Sequence, residues 1–459
     1  MNEAQALLQR AISLREVQDL GGALDAILLA AKAAPADPNV ALGLAQISFE
    51  AGLDAAELYA DAARLQPLRV DLQRSRASAL AAEGRQGEAE ALLEAVLAQN
   101  PAWIDGHRTL CGLRATAGDA DFARSFSSAI EREPANFGLR MAWFHILATA
   151  RKWDVARKVL ADAEAALGER QASLLGKLFI ASESGHSADD PALFDTVEQV
   201  QDVGLDLARV RHFLRTNQVE RARDVCLRHV GTPAMRAFWS YLSLSLRLLH
   251  DPRADWLDAG MRDVRSFDLT FSQTELAALA DTLRRLHTMR EPWHEQSVRG
   301  GTQTERPLLL RLDPVIASVR TKIEAAVTHY IAELPPADPQ HPLLAAPRGR
   351  FLFAGSWSVR LRPGGFHAMH THPMGWISSA LYVTVPEGQA LGPPPAGHLQ
   401  FGSPPPELGL PLAPYGAIAP MPGRLALFPS TMWHGTVPFS DGERMTIAFD
   451  VIPAMPPKA

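Results

Sequence analysis

Over the first 260 or so residues, apolar positions recur at helical spacing in paired runs separated by short turns that contain glycine or proline. A triplet with spacing four then three repeats through this region: Ala23, Ile27, Ala30; Ala55, Tyr59, Ala62; Ala89, Leu93, Val96; Phe122, Phe126, Ala129; Ala156, Leu160, Ala163. Successive triplets begin 32, 34, 33 and 34 residues apart. The first four are each followed, five residues after the third member, by Pro35, Pro67, Pro101 and Pro134, and glycine recurs at the inter-helix turn at Gly22, Gly52, Gly84 or Gly87, and Gly118. Positions i, i+4 and i+7 form one stripe, so the second helix of each pair lies against the first, and proline ends it. The phase weakens in GHSADDPALF and resumes at Ala222 and Cys226. This predicts about six or seven helical pairs, with an irregular one near residues 185–195.

Beyond residue 260 the pattern changes. Two helical runs, TELAALADTLRRLH and DPVIASVRTKIEAAVTHYIAEL, flank SVRGGTQTERP, which reads as a glycine-rich polar loop, and a proline-rich connection, PPADPQHPLLAAPRG, follows. From Arg350 onward come short apolar strands broken by Pro and Gly: RFLFAGSWSVRL, WISSALYVTVP, HLQFGSP, GRLALFP, WHGTVPF and RMTIAFDVIP. Short strands of this kind predict an antiparallel double-sheet jelly roll. The fold class is therefore α+β and multidomain, with an all-α repeat solenoid over residues 1–260 and a jelly-roll (double-stranded β-helix) domain with flanking helices over 261–459. The proline-rich segment 387–422 reads as a lid or rim, or as an insertion.

The repeat itself resembles the tetratricopeptide repeat, whose period is about 34 residues. Arrays of that kind commonly hold an extended peptide or a partner protein, so peptide or protein binding is expected of this one, with a purely supporting role as the alternative.

Composition narrows the class further. With 45 Lys and Arg against 51 Asp and Glu, the chain carries a formal charge of -6 and no long basic run, which argues against a nucleic-acid partner. Only Cys111 and Cys226 occur, too far apart for a disulfide framework or a thiolate metal site, which points to a reducing, cytoplasmic setting. The first twenty residues carry charge throughout and have no signal-peptide core, and no apolar run reaches the roughly 18 residues of a membrane span.

Candidate chemistry concentrates in RPGGFHAMHTHPMGWISSALY, residues 362–382. Read as strand, His370 and His372 stand two apart and point to one side of a sheet, where their imidazoles can meet one ion. His434, at a strand on the facing sheet, supplies a third ligand, while His367 shapes the loop. Imidazoles with open positions suit Fe(II), and on affinity alone Zn, Cu or Ni. Arg444 follows His434 by ten residues and returns on the next strand. A buried guanidinium there needs an anion, and its planar fork fits a carboxylate; pairing with Asp441 or Glu443 is the structural alternative.

These residues carry a second resemblance. HTHPMGWISSALYVTVP and GRLALFPSTMWHGTVPFSDGERMTIAFD, with SVRGGTQT upstream, are similar to the iron and 2-oxoglutarate dependent dioxygenases, and especially to a bacterial group with H-x-H-P, F-P-S-x-x-x-H-x-V-x-P and R-x-x-I-x-F segments. The similarity spans residues 293–451 and implies Fe(II), 2-oxoglutarate and O2 as cofactors, with succinate formed as a substrate C–H is hydroxylated. It implies His370 and His434 as iron ligands, Arg444 and Tyr382 as partners of the distal 2-oxoglutarate carboxylate, and no further catalytic side chain. Ser378 and Ser379 stand where that group has Ser-Gly, and Leu381 where it has a first Tyr. The wider superfamily has H-x-D or H-x-E, whereas His372 occupies the second position here. Either His372 ligates and the site is built of three histidines, or two histidines suffice, as in the aspartyl/asparaginyl hydroxylases, which also couple tetratricopeptide repeats to an oxygenase. The resemblance thus implies a hydroxylase of a peptide or protein side chain held partly by the array. A silent cupin-like scaffold and a small-molecule hydroxylase are its alternatives.

Overall fold

In the computed structural model, which describes residues 3–454, the N-terminal half is a succession of helix pairs running from Glu3–Glu16 to Arg253–Leu257. The pairing follows from the stripe: Ala23, Ile27, Ala30, Ala62, Ala89, Leu93, Phe126, Ala129, Ala156, Leu160 and Ala163 are all buried, as are Ala222 and Cys226. Small residues let the two helices of each pair approach closely.

A positive backbone φ recurs at the turn inside each pair, at Gln18, Gly52, Gly84, Gly118, Arg151, Gly185, Asn217 and His250. The spacings are 34, 32, 34, 33, 34, 32 and 33 residues, so the repeat extends further than the triplets suggest, to eight units among the described residues. In the sixth unit the helix Gln171–Glu183 is followed by irregular chain and the short 3-10 turn Asp195–Val197 in place of a second helix, the irregularity expected near 185–195. Gly22 and Gly87 lie inside the helices Leu20–Ala33 and Gln86–Gln99 rather than at the turns, because the left-handed residue that ends the first helix sits three or four positions earlier.

Nine strands follow among the described residues: β1 (Arg265–Asp268), β2 (Val298–Gln303), β3 (Phe351–His367), β4 (Ile377–Thr384), β5 (Leu399–Phe401), β6 (Gly416–Ile418), β7 (Arg424–Pro429), β8 (His434–Thr436) and β9 (Arg444–Pro453). They make a six-stranded antiparallel sheet in the order β1-β7-β4-β9-β3-β2 and a three-stranded sheet in the order β6-β5-β8. The helices Gln273–Leu286 and Pro314–Ala332 start at well-capped N-termini, Ser272 with Glu275 and Asp313 with Pro314. Their apolar stripes cover the outer face of the large sheet, where Leu283, Ile316 and Ile323 join Leu381, Leu425, Ile447 and Phe449 in one buried cluster.

Two expectations change here. SVRGGTQT is not a loop: it forms β2, paired to β3 through a bulge between Arg299 and Gly301. Gly301 has to be glycine, since a Cβ there would run into the Arg360 carbonyl of the neighbouring strand. The segment 387–422 is more than a lid or insertion, because it supplies β5 and β6 to the small sheet. HLQFGSP forms β5 as its apolar pattern predicts, whereas β6 is hidden in the sequence by the prolines that flank it.

The turn edge of the array grips the β domain along its length. Gln18 exchanges hydrogen bonds with the Phe353 backbone (2.8 and 3.0 Å), the Leu312 amide donates to the Ala51 carbonyl (3.0 Å), and the Arg290 and Glu291 amides donate to the Thr116 carbonyl (3.0 and 3.1 Å). Further along, Arg151 pairs with Glu407 (2.8 Å), and Trp433 packs into the cluster formed by the last helices, its indole N–H donating to the Ser240 carbonyl (3.0 Å). Among the described residues, no helix is long and apolar enough to cross a membrane, and both cysteines are buried and unpaired.

Candidate metal centre

The β9 sequence alternates, and that alternation builds one wall of the site. Met445, Ile447, Phe449 and Val451 point outward into the helix-covered core, while Arg444, Thr446 and Ala448 line a cavity of about 510 Å³ on the other side. Asp450 continues the inward-facing series.

Three histidines stand opposite. The segment carrying His370 and His372 is not strand, contrary to the alternation assumed from sequence; only His370 makes a bridge, to His434, with reciprocal backbone hydrogen bonds of 3.0 Å each. His370 and His434 are therefore cross-strand neighbours on the small sheet rather than residues of two facing sheets. The chain leaves the large sheet after His367, at the end of β3, and this crossover places the next histidine beside β8. His372 is anchored by its amide to the Ser430 carbonyl (2.9 Å), which turns it back toward β9.

Ring centroids lie 4.2 Å apart for His370 and His434, 4.9 Å for His370 and His372, and 5.0 Å for His372 and His434. One ligating nitrogen from each of the three falls within 4.8 Å of the others. The hydrogen bonding settles which nitrogen is free. His370 Nδ1 lies 2.8 Å from the Ala368 carbonyl, His434 Nδ1 2.9 Å from the Met432 carbonyl, and His372 Nδ1 2.7 and 2.8 Å from the two Asp450 oxygens. Carbonyl and carboxylate oxygens only accept, so each Nδ1 carries a proton and each Nε2 is the nitrogen left to face a metal. Burial and the neighbouring rings hold His370 and His434 well below the ordinary imidazole pKa, in the neutral form a metal requires. His367 stands outside the triplet; its Nδ1 contacts the Ser297 hydroxyl at 3.1 Å, and burial with the charge of Arg444 pushes its pKa to about 3.

Arg444 is 2% exposed, and its Nε and Nη1 have no hydrogen-bond partner among the described residues. Neither acidic neighbour considered from sequence pairs with it: Glu443 engages Arg284 (2.8 Å) and Arg360 (2.5 Å) instead. Tyr382 on β4 is fully buried, with its ring 5.0 Å from the guanidinium carbon and its hydroxyl near Arg444 but without a well-formed hydrogen bond among the described residues. Burial depresses the Arg444 pKa and raises that of Tyr382, the latter partly offset by the Arg444 charge. Leaving two donors of a buried cation and a buried hydroxyl unsatisfied costs several kcal/mol by rough reckoning unless an anion completes the site. A dicarboxylate fits that vacancy of charge, and the imidazole set fits Fe(II) or another borderline divalent ion.

Sequence reasoning missed Asp450, Ser378 as its partner, and the contribution of the array. In sequence Ser378 stands out only as part of a motif, yet its Oγ lies 2.6 Å from Asp450 Oδ1 and 2.8 Å from Ser430 Oγ. Arg151, Arg211 and Tyr241, all from the helical half, line the same cavity. Nothing in the local sequence marks them; only the docking of the array does.

Residues 355–450 match the family model described as "Putative 2OG-Fe(II) oxygenase". No curated protein matches the chain. Among solved structures, the chain is similar to a viral collagen prolyl hydroxylase from Paramecium Bursaria Chlorella virus-1, at 16% identity over 42% of this chain and 97% of that one with a TM-score of 0.29. It is also similar to a Pseudomonas putida prolyl-4-hydroxylase, at 18% identity over 42% and 94% with a TM-score of 0.28. A tetratricopeptide repeat protein from Parabacteroides merdae matches at 16% identity over 53% and 99%, with a TM-score of 0.34.

Proposed function

With the β domain matched to the 2OG-Fe(II) oxygenases, and its cofactors accordingly Fe(II), 2-oxoglutarate and O2, we propose that this chain hydroxylates a side chain of a peptide or protein. In this reading His370, His372 and His434 hold the iron through Nε2, and Arg444 with the Tyr382 hydroxyl receives the distal carboxylate of 2-oxoglutarate. The observation that carries it is the buried, unpaired Arg444 guanidinium in the wall of the cavity onto which the three histidines open. Iron and 2-oxoglutarate, when bound, supply the oxidising chemistry that inserts oxygen into a C–H bond and releases succinate and carbon dioxide. The protein's share is orientation: three histidine rings fixed by acceptors at Nδ1 and one cation placed for a dicarboxylate.

The substrate clause is supported by the shape of the approach. A second cavity of about 460 Å³ lies beside the first and shares Arg151, His294 and Arg299 with it. Its walls come from the turns at Gly118 and Arg151 and from the segment around Trp293. Two adjoining cavities walled by both halves of the chain suit an extended ligand better than a compact metabolite.

The test has two parts. Anaerobic addition of Fe(II) and 2-oxoglutarate to the full chain should produce the visible charge-transfer absorption of a chelated 2-oxo acid, and its absence at saturating ligand would remove the oxygenase reading. Peptides from a proteolytic digest should raise oxygen-dependent succinate formation and gain one oxygen in mass. Stimulation by a small-metabolite pool with none by peptides would overturn the substrate clause alone.

A further inference from the structure

We propose that Asp450 is a positioning residue that supplies the metal centre with its carboxylate through His372, one hydrogen bond removed from the ion. This rests on the reading above, in which His370, His372 and His434 hold the metal.

Three neutral imidazoles leave a divalent ion with its full charge, and Arg444 adds another cation on the same strand face. Such a site needs negative charge close by. Asp450 is placed to give it. Both of its oxygens reach His372 Nδ1, at 2.7 and 2.8 Å, and its side chain is only 13% exposed. Ser378 Oγ, 2.6 Å from Asp450 Oδ1 and 2.8 Å from Ser430 Oγ, holds the carboxylate in place by donating to it while accepting from Ser430.

The backbone makes this position firm. Asp450 lies on β9, which is paired to β3 on one side and β4 on the other, and it stands directly across from Ser378. His370 and His434 have only backbone carbonyls at Nδ1, so Asp450 is the only carboxylate at the triplet among the described residues. A carboxylate at Nδ1 fixes the tautomer, aims Nε2 and makes the imidazole a stronger donor. Arg444 and Asp450, six apart on one strand face, thus set the two ends of the site: a cation for the cosubstrate, an anion behind the metal.

The experiment is anaerobic titration of the metal-free full chain with Co(II), whose visible spectrum reports ligand number and geometry. Asp450→Asn keeps an acceptor at Nδ1 but removes the charge, and Asp450→Leu removes both. We expect Asp450→Asn to weaken Co(II) binding roughly 10- to 100-fold with a shifted spectrum, and Asp450→Leu to weaken it more. In a His372→Ala background, Asp450→Asn should add nothing, since its effect travels through that ring. Wild-type affinity and spectrum in Asp450→Asn, or a loss that adds in full to that of His372→Ala, would overturn the inference. His370→Ala and His434→Ala separate the two levels of failure: if they too retain Co(II), the metal centre itself is wrong, and if they lose it while Asp450→Asn does not, only the role of Asp450 falls. Should Asp450→Asn melt as unfolded without metal, Ser378→Ala, which frees the carboxylate without removing it, must give a smaller loss of the same sign; unchanged binding there counts against the inference.

Discussion

At the residue scale the site is a matter of which atoms are left without partners. His434 is 5% exposed, with Nδ1 committed to a carbonyl and Nε2 free. Its replacement by alanine removes one of the three proposed donors and leaves a void beside Phe428, whose ring centroid is 4.6 Å away. His434→Ala is expected to retain no iron after desalting, as measured by metal analysis of the purified protein, whereas wild type retains it. Arg444→Ala should behave differently. Iron stays bound, but the 2-oxoglutarate requirement rises, because a desolvated charge-assisted pair is lost at a cost of about 2–5 kcal/mol, roughly a thirty-fold or larger change. Titration of the charge-transfer band with 2-oxoglutarate reads this directly, and an unchanged midpoint would show that the clamp lies elsewhere.

At the scale of elements, the same left-handed turn serves the array in two ways. Gly84 has φ +80° and nothing within 4 Å of a built Cβ, whereas at Gly52, with φ +81°, a Cβ would lie 2.6 Å from Arg311 Cζ. Gly84→Ala should cost about 1–2 kcal/mol for the backbone conformation alone. Gly52→Ala should cost more, because it also displaces the Arg311 side chain, which donates to the Gly52 carbonyl at 3.0 Å. Paired denaturant melts give the difference, and equal losses would mean that this turn contributes nothing to docking. The period that exposes these turns was legible from the Ala and Phe stripe, yet Gln18, Arg151, Asn217 and His250 occupy the left-handed position without being glycine. Sequence that looks for glycine finds only half of the turns. In the β domain β4, β7 and β9 were plain from their short apolar runs, while β2 was hidden because its glycines serve a bulge and a close backbone approach.

At the scale of the whole molecule the two halves share their cores. Leu20 and Ala51 of the array belong to the cluster under the large sheet, and Leu408 and Trp433 of the β domain belong to the cluster of the last helices. A chain beginning at residue 261 would expose those faces, so it is expected to aggregate or to lack a cooperative melt; a monomeric, cooperatively melting fragment would contradict this. Buried histidines outside the candidate metal centre contribute to the acid limit. Burial lowers the pKa of His287 to about 4, and also lowers those of His107, His212 and His341. Their unfolded value is near 6.5, so as pH falls below it the unfolded chain takes up protons that the folded chain refuses. Stability should be flat in this respect above about pH 7 and fall from about pH 6.5 downward, with the His287 contribution lost progressively toward pH 4. Denaturant midpoints of the metal-free protein between pH 7.5 and 5 measure it.

The division between what the sequence determined and what the tertiary structure decided follows from range. Periodicity is written in consecutive residues, so the helix pairs, the longer strands, the repeat phase and the set of His370, His372, His434 and Arg444 could be read along the chain. The partner of His372 could not, because Asp450 is 78 residues away and meets it only through the register of β9 against β4. Nor could the sheet to which each histidine belongs, since that depends on where β3 ends and the chain crosses over. The array's place in the cavity wall is of the same kind: Arg151, Arg211 and Tyr241 gain meaning only once the turn edge has docked. Local pattern sets what each segment is; burial of shared apolar faces sets which segments meet, and the chemistry of this chain lies at those meetings.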